Sequence, residues 1–284
     1  MSYASMSRIR DTHFPLAVAA LALGLAATPA MAQKKGGTNH AAPPFDNPDL
    51  IKAIMLGIDR KGFNDILYQG EAAIGGAMLP SPEGVWGMPP EMLADVPGYS
   101  GDVTANREAA RAIMRKLGYG PDKPLKVKVT VRNATLFRDP AVVMIGQLRA
   151  IYFDAEMELV ETPAYAPKMT RKDFTLSAGM VGSGLDDPDQ QFYENYVCGS
   201  QRNLSQYCNP ELDKLVDQQS REIDPEKRMR LVWEIDRQLQ LAGVRPMMSH
   251  YRAATCWHPR VKGLTVMQNS LYNGWRFEDI WLAR

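Results

Sequence analysis

Residues 124–162, PLKVKVTVRNATLFRDPAVVMIGQLRAIYFDAEMELVET, decide the fold class. Leu125, Val127, Val129 and Val131 alternate with Lys126, Lys128 and Thr130, the period of two expected of a strand with one buried face. AVVMIGQLRAIYF reads as a helix, and in AEMELVET Met157, Leu159 and Glu161 alternate with Glu158 and Val160 as a second strand. Strand, helix and strand in that order favour a parallel pair with a right-handed crossover. Further on, DFTLSAGMVG reads as a buried strand ending in glycines. The expected class is α/β, a mixed sheet flanked by helices.

Helices surround this unit. Pro48 suits a first helical position with Asn47 or Asp46 as its cap, and Leu50, Ile51, Ile54 and Ile58 form an apolar stripe that ends at DRKGF. A loop punctuated by Gly and Pro follows and carries Trp86. NREAARAIMRKLGYG has Asn106 as a candidate cap and Gly118 and Gly120 as stops. Asn209-Pro210 and Asp224-Pro225 open two more helices in series. The tail, residues 250–284, is short strand-like pieces between turns.

At the amino terminus Arg8 and Arg10 precede FPLAVAALALGLAATPAMA, which closes on Ala30-Met31-Ala32. This pattern predicts a secretory signal peptide over residues 1–32, followed by a flexible leader, 33–48, of Gly, Pro and polar residues. Cleavage would remove Arg8, Arg10 and Asp11 and leave a formally neutral chain in place of one at +1. A neutral chain lacks the basic footprint of a nucleic-acid binder. At 45% hydrophobic and 23% charged residues, the composition is that of an ordinary globular protein.

Export favours disulfides among Cys198, Cys208 and Cys256. The polar stretch GSQRNLSQY makes a Cys198–Cys208 loop plausible, with Cys256 as an alternative partner of either and three reduced thiols as the remaining case. No cysteine or histidine spacing matches a metal site.

The stretch GSGLDDPDQQFYENY, residues 182–196, follows the predicted third strand directly, where α/β proteins place ligands. Asp186, Asp187 and Asp189 read either as a solvated, helix-capping turn or as one wall of a site for a cationic ligand. A catalytic reading is poor. Ser183 lies in no nucleophile elbow, and Pro188 and the spacing argue against a calcium loop. For a neutral ligand, Phe137, Phe192, Tyr193 and Tyr196 are candidate aromatic contacts.

Several stretches taken together resemble the carboxyl-terminal half of the extracellular solute-binding proteins of family 5, the dipeptide- and oligopeptide-binding receptors of ABC importers. They are PPFDNPDLIKAIMLGIDRKGF, NREAARAIMRKLGYG, LRAIYFDAEMELVET, DDPDQQFYENY, YCNPELDKLVDQQSREIDPEKRMRLVWEID and VKGLTVMQNSLYNGWRFEDIWL, in the family's order across residues 43–284. The resemblance implies a periplasmic-binding-protein type II-like architecture, essentially one lobe over residues 49–249, with 250–284 as a return segment toward a second lobe. It implies an exported, periplasmic, non-enzymatic component that needs no cofactor. Its partners would be a peptide or related small solute and the ABC permease subunits.

Two departures accompany it. The half of the family's length between the signal peptide and PPFDNPDL has no counterpart here, so a shortened receptor is expected, exposing Trp275 and Trp281. The alternative is a non-binding remnant or a lobe that pairs with a separate amino-terminal half. The second departure concerns specificity. The aspartate that holds a peptide's α-ammonium in the family falls on Gly184 here, leaving Asp186 and Asp187 as the nearest acidic candidates.

Overall fold

The computed structural model describes residues 37–182, 184–252, 254–267 and 277–284. The proposed signal peptide, leader residues 33–36 and Trp275 lie outside them.

The alternating stretch forms β2 (Leu125–Arg132), and β3 (Phe153–Val160) runs parallel to it, with Leu125 opposite Phe153 and Arg132 opposite Val160. β4 (Leu176–Ala178) pairs in parallel on the other side of β2, and β1 (Gly37–Thr38) runs antiparallel to β4, giving the order β1-β4-β2-β3. Val129 and Val131 are fully buried, as the alternation requires. Thr130 on the opposite face is also buried, and its hydroxyl donates to Glu158 at 2.6 Å. That opposite face is exposed at Lys126 and Lys128 and becomes buried only at Thr130.

One side is packed by α1 (Pro48–Gly57), α4 (Val103–Lys116) and α5 (Thr135–Arg149). Leu50, Ile54, Met114, Ile145 and Leu148 meet Val127, Val129 and Phe153 there. Burying each of the larger side chains contributes about 1.5–3 kcal/mol. α6 (Thr162–Thr170) brings Tyr165 and Met169 against Phe174, Leu204 and Val160 in a separate cluster. A third core joins α7 (Pro188–Asn195), α8 (Pro210–Arg221) and α9 (Pro225–Leu241) through Phe192, Tyr196, Leu212, Val216, Val232 and Ile235.

The helix starts follow the local chemistry. Asn47, Asn209 and Asp224 cap α1, α8 and α9 by accepting first-turn amides, each with proline in the first turn. The cap of α4 is Asp102, which accepts from Thr104 N at 2.8 Å. Asn106 instead lies inside that helix and donates to Ser100 O. Two short helices are not foreseen by the sequence reading: α2 (Arg60–Tyr68) begins at the DRKGF stretch read as the end of the first helix, and α3 (Pro90–Leu93) lies within the Gly- and Pro-rich loop.

Residues 37–48 are not a flexible leader. Gly37 and Thr38 pair with Ser177 and Leu176, and the buried Asn39 donates to the Phe174 carbonyl at 3.0 Å. The proline-rich turn beyond carries Phe45 into the core, where it stacks on Phe153 with 6.5 Å between ring centroids. The Gly and Pro content shapes turns here and does not signal disorder. In the carboxyl-terminal region, β5 (Val261–Lys262) pairs antiparallel with β6 (Trp281–Leu282), leaving Trp281 and Leu282 59% and 63% exposed.

Candidate ligand-binding edge

Because β2, β3 and β4 are parallel and in register, their carboxyl ends share one edge of the sheet. Three segments leave it: residues 133–137 into α5, Glu161 and Thr162 into α6, and the loop 179–187 into α7. At the end of β2, Arg132 Nε donates to Thr162 Oγ1 at 3.0 Å, and its guanidinium carbon lies 5.4 Å from the Phe137 ring centroid. The Asn133 side chain donates to Glu161 at 2.6 Å and ties the β2 and β3 exits together. Beneath them, burial pushes the Tyr165 hydroxyl up to about 12, against the opposing charge of Arg132.

The acidic turn has a specific internal architecture. Asp187 caps α7 by accepting from Asp189 N at 2.9 Å, and both its oxygens take the Arg228 guanidinium at 3.0 Å. Asp189 accepts from Arg228 at 3.3 Å, from Ser220 Oγ at 2.7 Å and from the Gln219 amide. Arg228 also packs over Trp86, 4.8 Å from its ring centroid, while Trp86 Nε1 donates to the Asp186 carbonyl at 3.0 Å. The carboxylates of Asp187 and Asp189 thus neutralise an arginine of α9 and fasten the turn.

Asp187 is accordingly a helix cap and ion-pair partner, and the reading of it as a wall for a cationic ligand is corrected. Phe192 is corrected too: it is wholly buried in the third core, edge-on to Tyr196 at 6.4 Å. Phe137 is half-buried at the sheet edge. Tyr193 is 37% exposed on the far side of α7, where its hydroxyl donates to Asp217 at 2.7 Å, and burial raises its pKa. Asp186 remains in the turn itself, between the exposed Leu185 and Asp187.

The edge therefore brings together Phe137, Arg132 and the loop through Asp186, but neither Phe192 nor Tyr193. Gly184 holds the loop by donating to Gln190 Oε1 at 2.9 Å, and a methyl group there would meet that side chain at an ordinary 3.6 Å. Cys198 and Cys208 are joined by a disulfide, with Cα atoms 4.7 Å apart, and Cys256 is a free, exposed thiol. Among the described residues, no cluster of His, Cys, Asp and Glu is placed to hold a metal ion.

Sequence reading missed Arg228, Gln219 and Ser220, and placed Trp86 on a loop without its partners in the turn. Arg228 lies 41 residues from Asp187 on the polar side of an amphipathic helix, where an arginine gives no signal of its partner.

The model of the bacterial extracellular solute-binding proteins, family 5 middle region, matches residues 17–203. The chain belongs to this family. It is 26% identical over 198 residues to the periplasmic oligopeptide-binding protein OppA of Haemophilus influenzae, covering 67% of this chain and 35% of that protein. Against OppA of Escherichia coli the values are 24% over 229 residues, 80% and 41%. Against the probable di/tripeptide-binding protein 5 of Pseudomonas aeruginosa they are 24% over 247 residues, 84% and 44%. The chain thus spans less than half the length of these curated relatives. Among solved structures, Burkholderia pseudomallei OppA superposes with a TM-score of 0.74 at 19% identity over 89% of this chain and 49% of that one. Haemophilus influenzae OppA in complex with RPPGFSPFR gives 0.69 at 18% identity and the same coverage. At these identities the superpositions establish the shared fold.

Proposed function

We propose that this family 5 chain is the periplasmic substrate-binding component of a peptide-type ABC importer, capturing a peptide or related small solute for delivery to the permease. The observation that carries the reading is the family match across residues 17–203, which includes the whole edge formed by β2, β3, β4 and the 179–187 loop. The named functions of the relatives, oligopeptide and di/tripeptide binding in the periplasm, support the solute class and the location.

In this account the solute lies across the strand ends. Phe137 offers a ring face, Arg132 a cation for a carboxylate, and the loop around Gly184 and Asp186 offers backbone and acidic groups. The Asp187–Arg228–Trp86 latch holds that loop in place. With glycine at 184, an α-ammonium group would have to be met by Asp186 or not at all.

Thermal melts of the purified chain with di- and oligopeptides, amino acids, polyamines and sugars test the proposal, because a ligand that binds only the folded state raises the midpoint. A shift confined to peptides supports it. Cooperative melting with no shift from any solute would overturn it.

A second reading is a lobe that acts only when joined to a separate amino-terminal half. The exposed Trp257, Trp281 and Leu282 of the carboxyl-terminal region favour it as a surface for that partner. Under this reading, the melts respond to solute only after the other half is added.

A further inference from the structure

Two anchors hold the chain where the carboxyl-terminal region begins. The first is Arg60 of α2, buried, whose Nε donates to the Met247 carbonyl at 2.9 Å and whose Nη1 donates to the Gly98 carbonyl at 2.7 Å. The second is His250. Its amide donates to the Ala73 carbonyl at 2.7 Å and its carbonyl accepts from the Ala73 amide at 2.9 Å, an isolated antiparallel bridge. Its ring Nε2 lies 2.9 Å from the Gly76 carbonyl oxygen. A carbonyl only accepts, so Nε2 carries the proton of the neutral ring, and a second proton must go to Nδ1.

The strap that His250 grips, residues 72–78, is fixed by other groups as well. The Asn64 side chain of α2 donates to the Ala72 carbonyl at 2.5 Å and accepts from the Ala72 amide at 3.0 Å. Tyr99 donates its hydroxyl to the Gly75 carbonyl at 2.9 Å. Asp236 of α9 accepts from Ala77 N at 2.8 Å and from Met78 N at 3.2 Å. The peptide group between Gly76 and Ala77 is thus held on its N–H side by Asp236 and on its carbonyl side by His250. A methyl group on Gly76 would fall 2.4 Å from Asp236 Oδ2, so the strap lies directly on α9.

A second proton on His250 meets no countercharge. Among the described residues, no carboxylate pairs with the ring, and its recorded bond is to the Gly76 carbonyl. Asp236 lies across the same peptide group, but its oxygens are taken by Ala77, Met78 and the Gln240 amide at 3.1 Å. Burial also raises Asp236 to about 6, so it loses charge over the range in which an imidazole gains one. Arg60 adds a cation on the Met247 side, and beyond His250 Tyr251 stacks on Tyr68 and Arg252 pairs with Glu83. Burial accordingly lowers the His250 pKa.

We infer that His250 is a pH-sensitive clasp: neutral, it fastens the start of the carboxyl-terminal region to the 73–76 strap, and protonation in mildly acidic solution releases it. Met247 stays under Arg60, so the release pivots at residues 248–249. The clasped state binds fewer protons than the open one, whose free imidazole titrates near 6.5. Clasping is therefore fully present above pH 6.5 and weakens by up to about tenfold for each pH unit below it. The inference stands apart from the proposed solute and its edge of the sheet.

The test is amide hydrogen exchange of the full chain between about pH 7.5 and about pH 5.5, with rates corrected for the intrinsic pH dependence of exchange. Protection of the Ala73 and His250 amides, which form the bridge, should fall several-fold, up to about tenfold, while the Ala77 and Met78 amides held by Asp236 keep theirs. His250→Gln retains a donor for the Gly76 carbonyl without a titrating ring and should abolish the fall. If that variant does not fold, the parent's own imidazole, followed by NMR, must take up its proton in step with the loss of protection. Constant protection at Ala73 and His250, an equal loss at Ala77 and Met78, a fall that persists in His250→Gln, or a ring that protonates while the bridge stays protected would each overturn the clasp.

Discussion

Replacing Arg228 by methionine tests how the acidic turn is held. The substitution keeps the aliphatic stem but removes the bidentate pair with Asp187, the contact with Asp189 and the cation over Trp86. The side chains of Arg228 and Asp187 are 19% and 36% exposed, between the regimes in which a broken pair costs about 3–5 kcal/mol and about 0–1 kcal/mol. An intermediate cost of about 2 kcal/mol, with about 0.5 kcal/mol for the lost Trp86 contact, gives roughly 2–3 kcal/mol. For a chain of this size that lowers Tm by about 4–10 °C. Asp187→Asn should cost less, about 1 kcal/mol, because asparagine still caps α7. The assay is urea unfolding followed by tryptophan fluorescence, with a double-mutant cycle in which the two changes couple by about 1 kcal/mol. An Arg228→Met variant within 0.5 kcal/mol of the parent, or strict additivity of the two substitutions, would refute the latch.

Other perturbations have equally direct readouts. Phe153→Ala should cost about 3–5 kcal/mol in the same unfolding assay, since Phe153 is 2% exposed and stacks on Phe45. Breaking the Cys198–Cys208 loop with two serines should cost about 2–3 kcal/mol, read as a lower urea midpoint. Burial raises Asp236 from 3.8 to about 6, so its ionisation opposes folding, and its contribution declines by roughly 2–3 kcal/mol as pH rises from about 4 to about 6. His40 and His250 are lowered by burial and act in the opposite sense, losing stability as pH falls below 6.5. The Tm difference between the parent and Asp236→Asn should therefore grow in the parent's favour from pH 7 down to pH 4.5, and a constant difference would contradict the assignment. Arg132→Gln should weaken binding of a carboxylate-bearing solute while leaving Tm in its absence nearly unchanged, measured by titration calorimetry.

The parallel strands were legible because a single periodic signal, valine alternating with lysine, coincides with a physical face. β3 was less so. Phe153 and Ala155 are its buried residues, while Leu159, on the same alternation, emerges at the strand end and is 48% exposed. Pro140 masked the start of α5: it sits inside the helix, whose first turns therefore read as loop. α2 was missed because Asp59 caps it only two residues after α1 ends, so two helices merge into one pattern. At the site, proximity to a strand end was readable, but the direction of each side chain was not. Phe192 and Tyr193 are neighbours in sequence that face opposite environments, and only the packing of α7 on α8 and α9 decides which is buried. The Asp187–Arg228 pair depends on that same packing, which no local pattern encodes.

The central claim, that solute binds across the carboxyl ends of β2, β3 and β4, is tested most directly by amide hydrogen exchange with and without a pool of short peptides. The account predicts slowed exchange concentrated in residues 132–137, 161–162 and 179–187, with the sheet interior unchanged. Peptide-dependent protection located elsewhere, or none in those segments, would contradict it.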